Sequence, residues 1–96
     1  MASSELSLGR AGHMVKTLAD LPIGQRGRVL SLNGRVETRR RFLDLGLIPG
    51  TEVRAVMESP VGRLRAYMFR SSVFAIRTTE ASTIEVESPH HERLEG

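Results

Sequence analysis

Short segments in which hydrophobic and polar residues alternate follow one another through the middle of the chain, separated by Gly, Pro, Asn and Ser. Alternation places every second side chain on the same face, as in a β-strand with one buried face. Turn residues at this short spacing favour several antiparallel strands. The pattern predicts five strands, at residues 26–32, 51–59, 63–70, 73–78 and 83–87.

One segment, residues 35–45, has the hydrophobic spacing of a helix instead. Gly46 follows it and can adopt the left-handed conformation that ends a helix, and Pro49 follows shortly afterwards. Residues 17–21 form at most one helical turn, because Pro22 comes next. Five short strands and one helix favour a small β-barrel over a parallel sheet, because closing the sheet leaves few exposed strand edges.

The pattern assigns side chains to faces in two of these strands. Alternation places Val53, Ala55 and Met57 on one face of the strand at 51–59. The strand at 63–70 is largely hydrophobic on both faces, so we expect one of its faces to be uncovered in so small a domain. Arg65, Tyr67 and Phe69 share one face, and Leu64, Ala66 and Met68 share the other. Core packing is the more typical role for the face that carries the aromatic residues.

The two ends of the chain lack this regular pattern. Residues 1–16 show neither helical nor strand periodicity and contain no hydrophobic run long enough for a secretory signal. The tail from residue 88 is polar and begins with Ser-Pro. We therefore expect a disordered or vector-derived segment over 1–16, one folded domain over 17–87 and a flexible tail over 88–96.

The composition favours a cytoplasmic location. Hydrophobic residues make up 40% of the chain and charged residues 26%, as in ordinary globular domains. No hydrophobic run approaches the ~20 residues of a membrane-spanning helix, so we expect no membrane insertion. The absence of cysteine excludes disulfides, thiolate metal sites and thiol nucleophiles, which fits a reducing compartment.

The motifs of common enzyme sites are absent from the sequence. There is no glycine-rich phosphate loop and no G-x-S-x-G nucleophile motif, and all 3 histidines lie in the two ends. We therefore predict that the protein is not an enzyme and requires no cofactor. His13, His90, His91 and Glu92 could bind a divalent transition metal. A solvated tail is the more typical role, because ordering flexible residues costs conformational entropy, so we expect a metal bound there to be adventitious.

The basic residues, 14 in number, are all arginines except Lys16. Arginine suits partners that carry carboxylates or phosphates, because its planar guanidinium forms paired hydrogen bonds. On the predicted helix, Phe42 and Leu45 form one hydrophobic strip, Val36 and Leu43 form a second, and Arg39 lies between the two strips. Two interpretations stay open: the stem of Arg39 covers hydrophobic surface, or the strip is a protein-docking face. Aromatic residues, at 4%, offer few stacking platforms for single-stranded nucleic acid.

Several segments together resemble the ferrous iron transport protein A (FeoA) family. The most specific is RRFLDLGLIPGTEV at residues 40–53, where the family pattern is roughly R-R-L-L-D-L-G-L-x-P-G-T-x-V. TLADLPIGQ at 17–25, SPVG at 59–62 and FAIR at 74–77 also match, and the resemblance covers about residues 16–87. The chain departs from the family at Arg63-Leu64, where Asp-Pro is usual, at Arg65, where a hydrophobic residue is usual, and at Ser71, where glycine is common.

This resemblance implies an SH3-like β-barrel, similar to the C-terminal domain of the iron-dependent DtxR-type repressors. It also implies a small cytosolic accessory of FeoB, the membrane permease for ferrous iron. We therefore expect an interaction module that docks on or regulates FeoB, with a weak homo-oligomer left open. The docking residues predicted for it are Val36, Arg39, Leu43, Leu47, Pro49 and Gly50. A nucleic-acid-binding barrel and a metal-sensing domain like that of the repressors are the alternatives, although we expect no nucleic-acid partner.

Overall fold

The computed structural model describes residues 13–89 as a mainly β fold with one main helix. Six antiparallel strands form a sheet in the order β1-β6-β2-β3-β4-β5. The strands are β1 (His13–Thr17), β2 (Arg26–Leu32), β3 (Glu52–Glu58), β4 (Leu64–Phe69), β5 (Ser72–Arg77) and β6 (Ile84–Pro89). The helices are a 3-10 turn (Leu18–Asp20), α1 (Val36–Leu45) and the short α2 (Thr78–Ala81). All five predicted strands and the predicted helix are present.

The N-terminal boundary predicted from the sequence is wrong. Strand β1 begins at His13, in a segment expected to lie outside the fold, and pairs along its length with β6. The sequence does not reveal β1, because a strand at the end of the sheet pairs on one side only and needs little alternation. Val15, at its centre, is exposed.

The C-terminal boundary also lies further along the chain than predicted. Strand β6 continues to Pro89, and Ser88 is buried, although a flexible tail is expected from residue 88. Pairing with β1 explains the extension, since Met14 lies opposite Ser88. The rest of the two predicted end segments, residues 1–12 and 90–96, lies outside the described residues.

The core is formed by the inward faces of the strands together with Phe42 of α1, Leu18 of the 3-10 turn and Ala81 of α2. Tyr67 and Phe69 point into it from β4, which confirms the expectation for the aromatic face of that strand. The ring of Phe69 stacks on that of Phe74, with centroids 4.3 Å apart. The other large residues of the core are aliphatic apart from Phe42, namely Leu18, Leu21, Val29, Leu47, Val53, Ile76, Ile84 and Val86.

Strand β3 departs from the predicted alternation at its end. Val53 and Ala55 are buried as expected, but Met57 is 59% exposed. The pairing of β3 with β4 shifts by one residue between Ala55 and Met57, as at a β-bulge. Because of this shift, Met57 lies opposite Ala66, on the outward side of β4. The shift adds Met57 to the outer surface of the sheet.

Candidate functional site

The exposed side of helix α1 carries the hydrophobic strip predicted from the sequence. Val36 and Leu43 are 54% and 44% exposed, whereas Phe42 anchors the helix in the core. Arg39 lies between Val36 and Leu43 along the helix and is partly buried. Its Nη1 donates a hydrogen bond to the carbonyl oxygen of Gly34 at 3.0 Å. Arg39 is therefore held against the segment before the helix, and two hydrophobic side chains remain open to solvent. We call Val36, Arg39 and Leu43 the helix surface.

The loop after α1 contains three further predicted docking residues, and one of these predictions is wrong. Pro49 and Gly50 are exposed, but Leu47 is completely buried. Gly46 ends the helix with a φ of 99°. The backbone N–H of Leu47 then donates to the carbonyl oxygen of Phe42, and this geometry directs the Leu47 side chain inward. Leu47 is a core residue and takes no part in a docking surface.

A second exposed hydrophobic surface lies on the outer side of β3, β4 and β5. Strand pairing places Met57, Ala66 and Ala75 side by side, and Met68 beside Val73. The prediction that one face of β4 is uncovered is thereby confirmed. Sequence reasoning identified this face of β4 but did not include it among the candidate sites, and the β3 shift that adds Met57 has no sequence signal. We call this surface the sheet face; it consists of Met57, Leu64, Ala66, Met68, Val73 and Ala75.

Arg65 lies on the inner side of β4 and is buried, with only 5% of its surface exposed. Its guanidinium donates to carbonyl oxygens of the 3-10 turn and the residue after it. Nη1 donates to Leu18 and Ala19 at 3.2 and 2.7 Å, and Nη2 donates to Leu21 at 2.9 Å. Glu58 supplies the opposite charge, with Oε1 3.3 Å from Nε. These contacts fix the 3-10 turn to the sheet, so Arg65 has a structural role.

Tyr67 completes this buried cluster. Its hydroxyl donates to the carbonyl oxygen of Leu18 at 3.0 Å and accepts a hydrogen bond from Nη1 of Arg65 at 3.2 Å. Burial raises the pKa of the Tyr67 hydroxyl above its ordinary value of 10.0, and the positive charge of Arg65 offsets part of this effect. The hydroxyl is therefore a neutral hydrogen-bonding group near neutral pH.

The predicted metal ligands lie at or beyond the ends of the described chain. His13 begins β1, opposite Pro89, while His90, His91 and Glu92 fall outside the described residues. Within residues 13–89, no three His, Asp or Glu side chains are grouped so that they could hold a metal ion. No helix in this range is long and hydrophobic enough to span a membrane.

The FeoA domain family matches residues 16–88, which run from the end of β1 to the second-last residue of β6. The chain belongs to the FeoA domain family. A comparison with curated proteins finds no match. Among solved structures, the FeoA protein of Chlorobium tepidum is 29% identical, with a TM-score of 0.72 over 75% of this chain and 69% of that one.

Two further FeoA structures support the same fold. The FeoA-like protein of Clostridium acetobutylicum is 27% identical, with a TM-score of 0.71 over 77% of this chain and 86% of that one. FeoA of Stenotrophomonas maltophilia, solved in complex with zinc and described as an SH3 domain protein, is 28% identical, with a TM-score of 0.64 over 77% of this chain and 96% of that one. The predicted SH3-like fold is thus confirmed.

A manganese-dependent transcriptional repressor shares this FeoA-type fold. It is 17% identical, with a TM-score of 0.71 over 77% of this chain and 41% of that one. At this level of identity the likeness concerns the fold alone. It agrees with the expected similarity between FeoA domains and a domain of metal-dependent repressors.

Proposed function

We propose that the chain is a cytosolic, non-enzymatic accessory protein of ferrous iron uptake that docks on or regulates a FeoB-type permease. Membership of the FeoA family supports this role, and the Stenotrophomonas maltophilia relative is described as a candidate ferrous iron transport activating factor. The observation that carries the docking step is the exposure of Val36 and Leu43 on one helix. Covering such side chains stabilises a complex by about 25 cal/mol per Å² of hydrophobic surface.

Arg39 gives the helix surface a positive group in a fixed position. Because Nη1 is already bound to the carbonyl oxygen of Gly34, the side chain loses little conformational freedom when a partner binds. Its other N–H groups can donate to a carboxylate of the permease. We place Pro49 and Gly50 at the border of the docking surface, since both are exposed and the N–H of Gly50 fixes their loop to Val29 at 2.8 Å.

The test is co-purification of purified variants with detergent-solubilised FeoB-type permease from the same source. Leu43→Glu introduces a charge into the helix surface at a position that makes little contact with the core. We expect it to abolish co-purification while the thermal unfolding midpoint stays close to that of the wild type. Val36→Glu, at a residue that is more exposed still, is a second variant should Leu43→Glu fail to fold.

Leu45→Glu is the matched control, because Leu45 is 38% exposed on the same helix and faces away from Leu43. We expect this variant to retain the permease. Equal retention by all variants would overturn docking through the helix surface, and so would equal loss in Leu43→Glu and Leu45→Glu. Failure of the wild-type protein to bind the permease at all would overturn the proposed function.

The two alternative functions have less support from the described surface. A barrel that binds single-stranded nucleic acid needs exposed aromatic rings, but Phe42, Tyr67 and Phe69 are buried and Phe74 stacks on Phe69. A metal-sensing domain needs a cluster of ligands, and none is found within residues 13–89. Binding of DNA or RNA at ~50 mM salt that weakens steeply as salt is added would favour the first alternative.

A further inference from the structure

The sheet face is bordered by arginines whose charges are not neutralised within the described chain. Three arginines of the described range have acidic partners: Arg26 pairs with Glu52 at 3.1 Å, Arg41 with Glu80 at 2.7 Å and Arg65 with Glu58 at 3.3 Å. Among the arginines that form no salt bridge with the described residues, four are exposed and lie around the sheet face: Arg54, Arg63, Arg70 and Arg77. An exposed hydrophobic surface surrounded by unpaired positive charge favours a partner that is hydrophobic and acidic.

Two of these arginines line an open cleft at one end of the sheet face. The cleft has a volume of about 690 Å³, and Arg63 and Arg77 line it together with Leu64. Its wall is held by Thr78, whose Oγ1 donates to the carbonyl oxygen of Gly62 at 2.6 Å and whose N–H donates to that of Arg63 at 2.8 Å. A carboxylate that enters this cleft meets two guanidinium groups beside a hydrophobic side chain, on a backbone that is already fixed.

The other two arginines lie at the opposite end of the sheet face. Arg54 and Arg70 line a second groove together with Met68 and with Arg26 and Glu52, whose opposite charges pair with each other. Leu64 and Met68 lie four positions apart in β4, which corresponds to about 13 Å at the rise of a β-strand. The two ends of the sheet face are therefore spaced to suit acidic residues about four positions apart on an extended segment, with hydrophobic side chains between them.

We infer that the sheet face binds an extended, acidic and hydrophobic segment of a partner protein, whose carboxylates are held at one end by Arg63 and Arg77. This surface is separate from the helix surface, and the inference does not depend on the identity of the permease. A second copy of the chain is a poor occupant, because two such faces would bring eight arginines together, and like charges oppose association. Methionine side chains suit such a surface, since they adapt to different hydrophobic partners.

The probe for this inference is a fluorescent peptide of alternating valine and threonine with two aspartates at each end. The matched probe has asparagine in place of every aspartate. We expect fluorescence anisotropy to show saturable binding of the acidic peptide, with affinity that falls as salt is added, and weaker binding of the asparagine peptide. Amide NMR shifts caused by the acidic peptide are expected in β4, β5 and the segments 62–64 and 77–79.

Two double variants decide the question. Each removes two positive charges, so they have the same net charge as each other and differ only in where the charges are lost. The double variant Arg63→Gln, Arg77→Gln is expected to bind the acidic peptide roughly tenfold more weakly, from two partly exposed charge pairs. The control double variant Arg35→Gln, Arg40→Gln removes two exposed arginines beside and on α1 and is expected to bind like the wild type. Leu43→Glu is also expected to bind normally, which separates this inference from the proposed docking on the permease.

Several results would overturn the inference. One is that the acidic peptide does not bind. Another is that both double variants lose affinity equally, as expected of attraction by net charge alone. NMR shifts confined to α1 would place the binding elsewhere. Binding of single-stranded DNA to the sheet face as tightly as the acidic peptide would assign the surface to nucleic acid instead.

Discussion

Nη1 of Arg65 lies 2.7 Å from the carbonyl oxygen of Ala19, so that a charged side chain of strand β4 holds the 3-10 turn that follows β1. Leu18, directly before Ala19, and Leu21, two residues after it, are both buried in the core. Their carbonyl oxygens also accept hydrogen bonds from Arg65. The guanidinium therefore satisfies the carbonyl oxygens of Ala19 and Leu21, and it shares the Leu18 carbonyl oxygen with the Leu21 N–H and the Tyr67 hydroxyl.

Arg65→Met is expected to lower the free energy of unfolding by about 2–4 kcal/mol, because it leaves buried carbonyl oxygens and the Glu58 carboxylate without their partner. Urea denaturation followed by circular dichroism measures the change. Arg63→Met, two residues away but exposed, is the control and is expected to change stability by less than about 0.5 kcal/mol. Equal stability of Arg65→Met and the wild type would contradict the structural role assigned to Arg65.

The raised pKa of Tyr67 predicts a loss of stability at high pH. The folded protein holds the hydroxyl proton more tightly than the unfolded chain does, so this contribution is fully present below the ordinary pKa of 10.0 and is lost as pH rises above it. Urea denaturation from about pH 8 to about pH 11 measures the change.

Tyr67→Phe is the control for this titration. It removes the hydroxyl and its bond to Leu18, which costs about 1 kcal/mol at neutral pH, and it is expected to flatten the decline above pH 10.0. An equally steep decline in Tyr67→Phe would mean that another group is responsible.

Gly46 and Gly50 form a matched pair for separating backbone strain from steric conflict. Both have positive φ, 99° and 95°, so alanine is strained at either position. A β-carbon on Gly46 would meet the side chain of Arg70, whereas one on Gly50 has open space around it. We expect Gly50→Ala to cost about 1 kcal/mol and Gly46→Ala clearly more, by urea denaturation. Equal losses would show that Arg70 moves away without cost.

The turn between β4 and β5 is predicted to gain stability from glycine. Arg70 and Ser71 both have positive φ, 55° and 67°, in the tight turn that joins the two strands. Ser71→Gly relieves the strain at one residue, which offsets the greater freedom of glycine in the unfolded chain, and is expected to raise the free energy of unfolding by about 0.5–1 kcal/mol. Ser72→Gly, within β5, is the control and is expected to be destabilising. A loss of stability in Ser71→Gly would show that the turn is not strained.

The sequence predicted those parts of the fold that follow from local periodicity and turn residues. Strand β2 has the predicted bounds, Arg26–Leu32, and helix α1 ends at Gly46 as expected. Strand β1 could not be predicted, because its order comes from pairing with a strand at the far end of the sequence. Met57 was expected on the same face as Val53 and Ala55 but lies on the outer surface. The shift in β3 that moves it depends on how two strands pair, which alternation within one strand does not reveal.

The candidate site was predicted less completely than the fold. Val36 and Leu43 lie on the surface as helical spacing indicated, but Leu47 does not, because the left-handed residue before it reverses the direction of its side chain. The burial of Arg65 has no signal in charge or pattern, since it depends on carbonyl oxygens contributed by a turn more than forty residues away. Sequence patterns locate faces of helices and strands, whereas such pairings require the assembled structure.

The pairing of β1 with β6 places His13 directly opposite Pro89, so the first and last described residues lie side by side. A domain whose two connections emerge together can be fused to either end of another protein, or inserted into a loop, without being stretched. The helix surface and the sheet face lie on other strands and on α1, so neither has to be altered to make such a junction. Because its described ends lie together, this fold can be joined to a larger protein, or inserted into one, as a single domain.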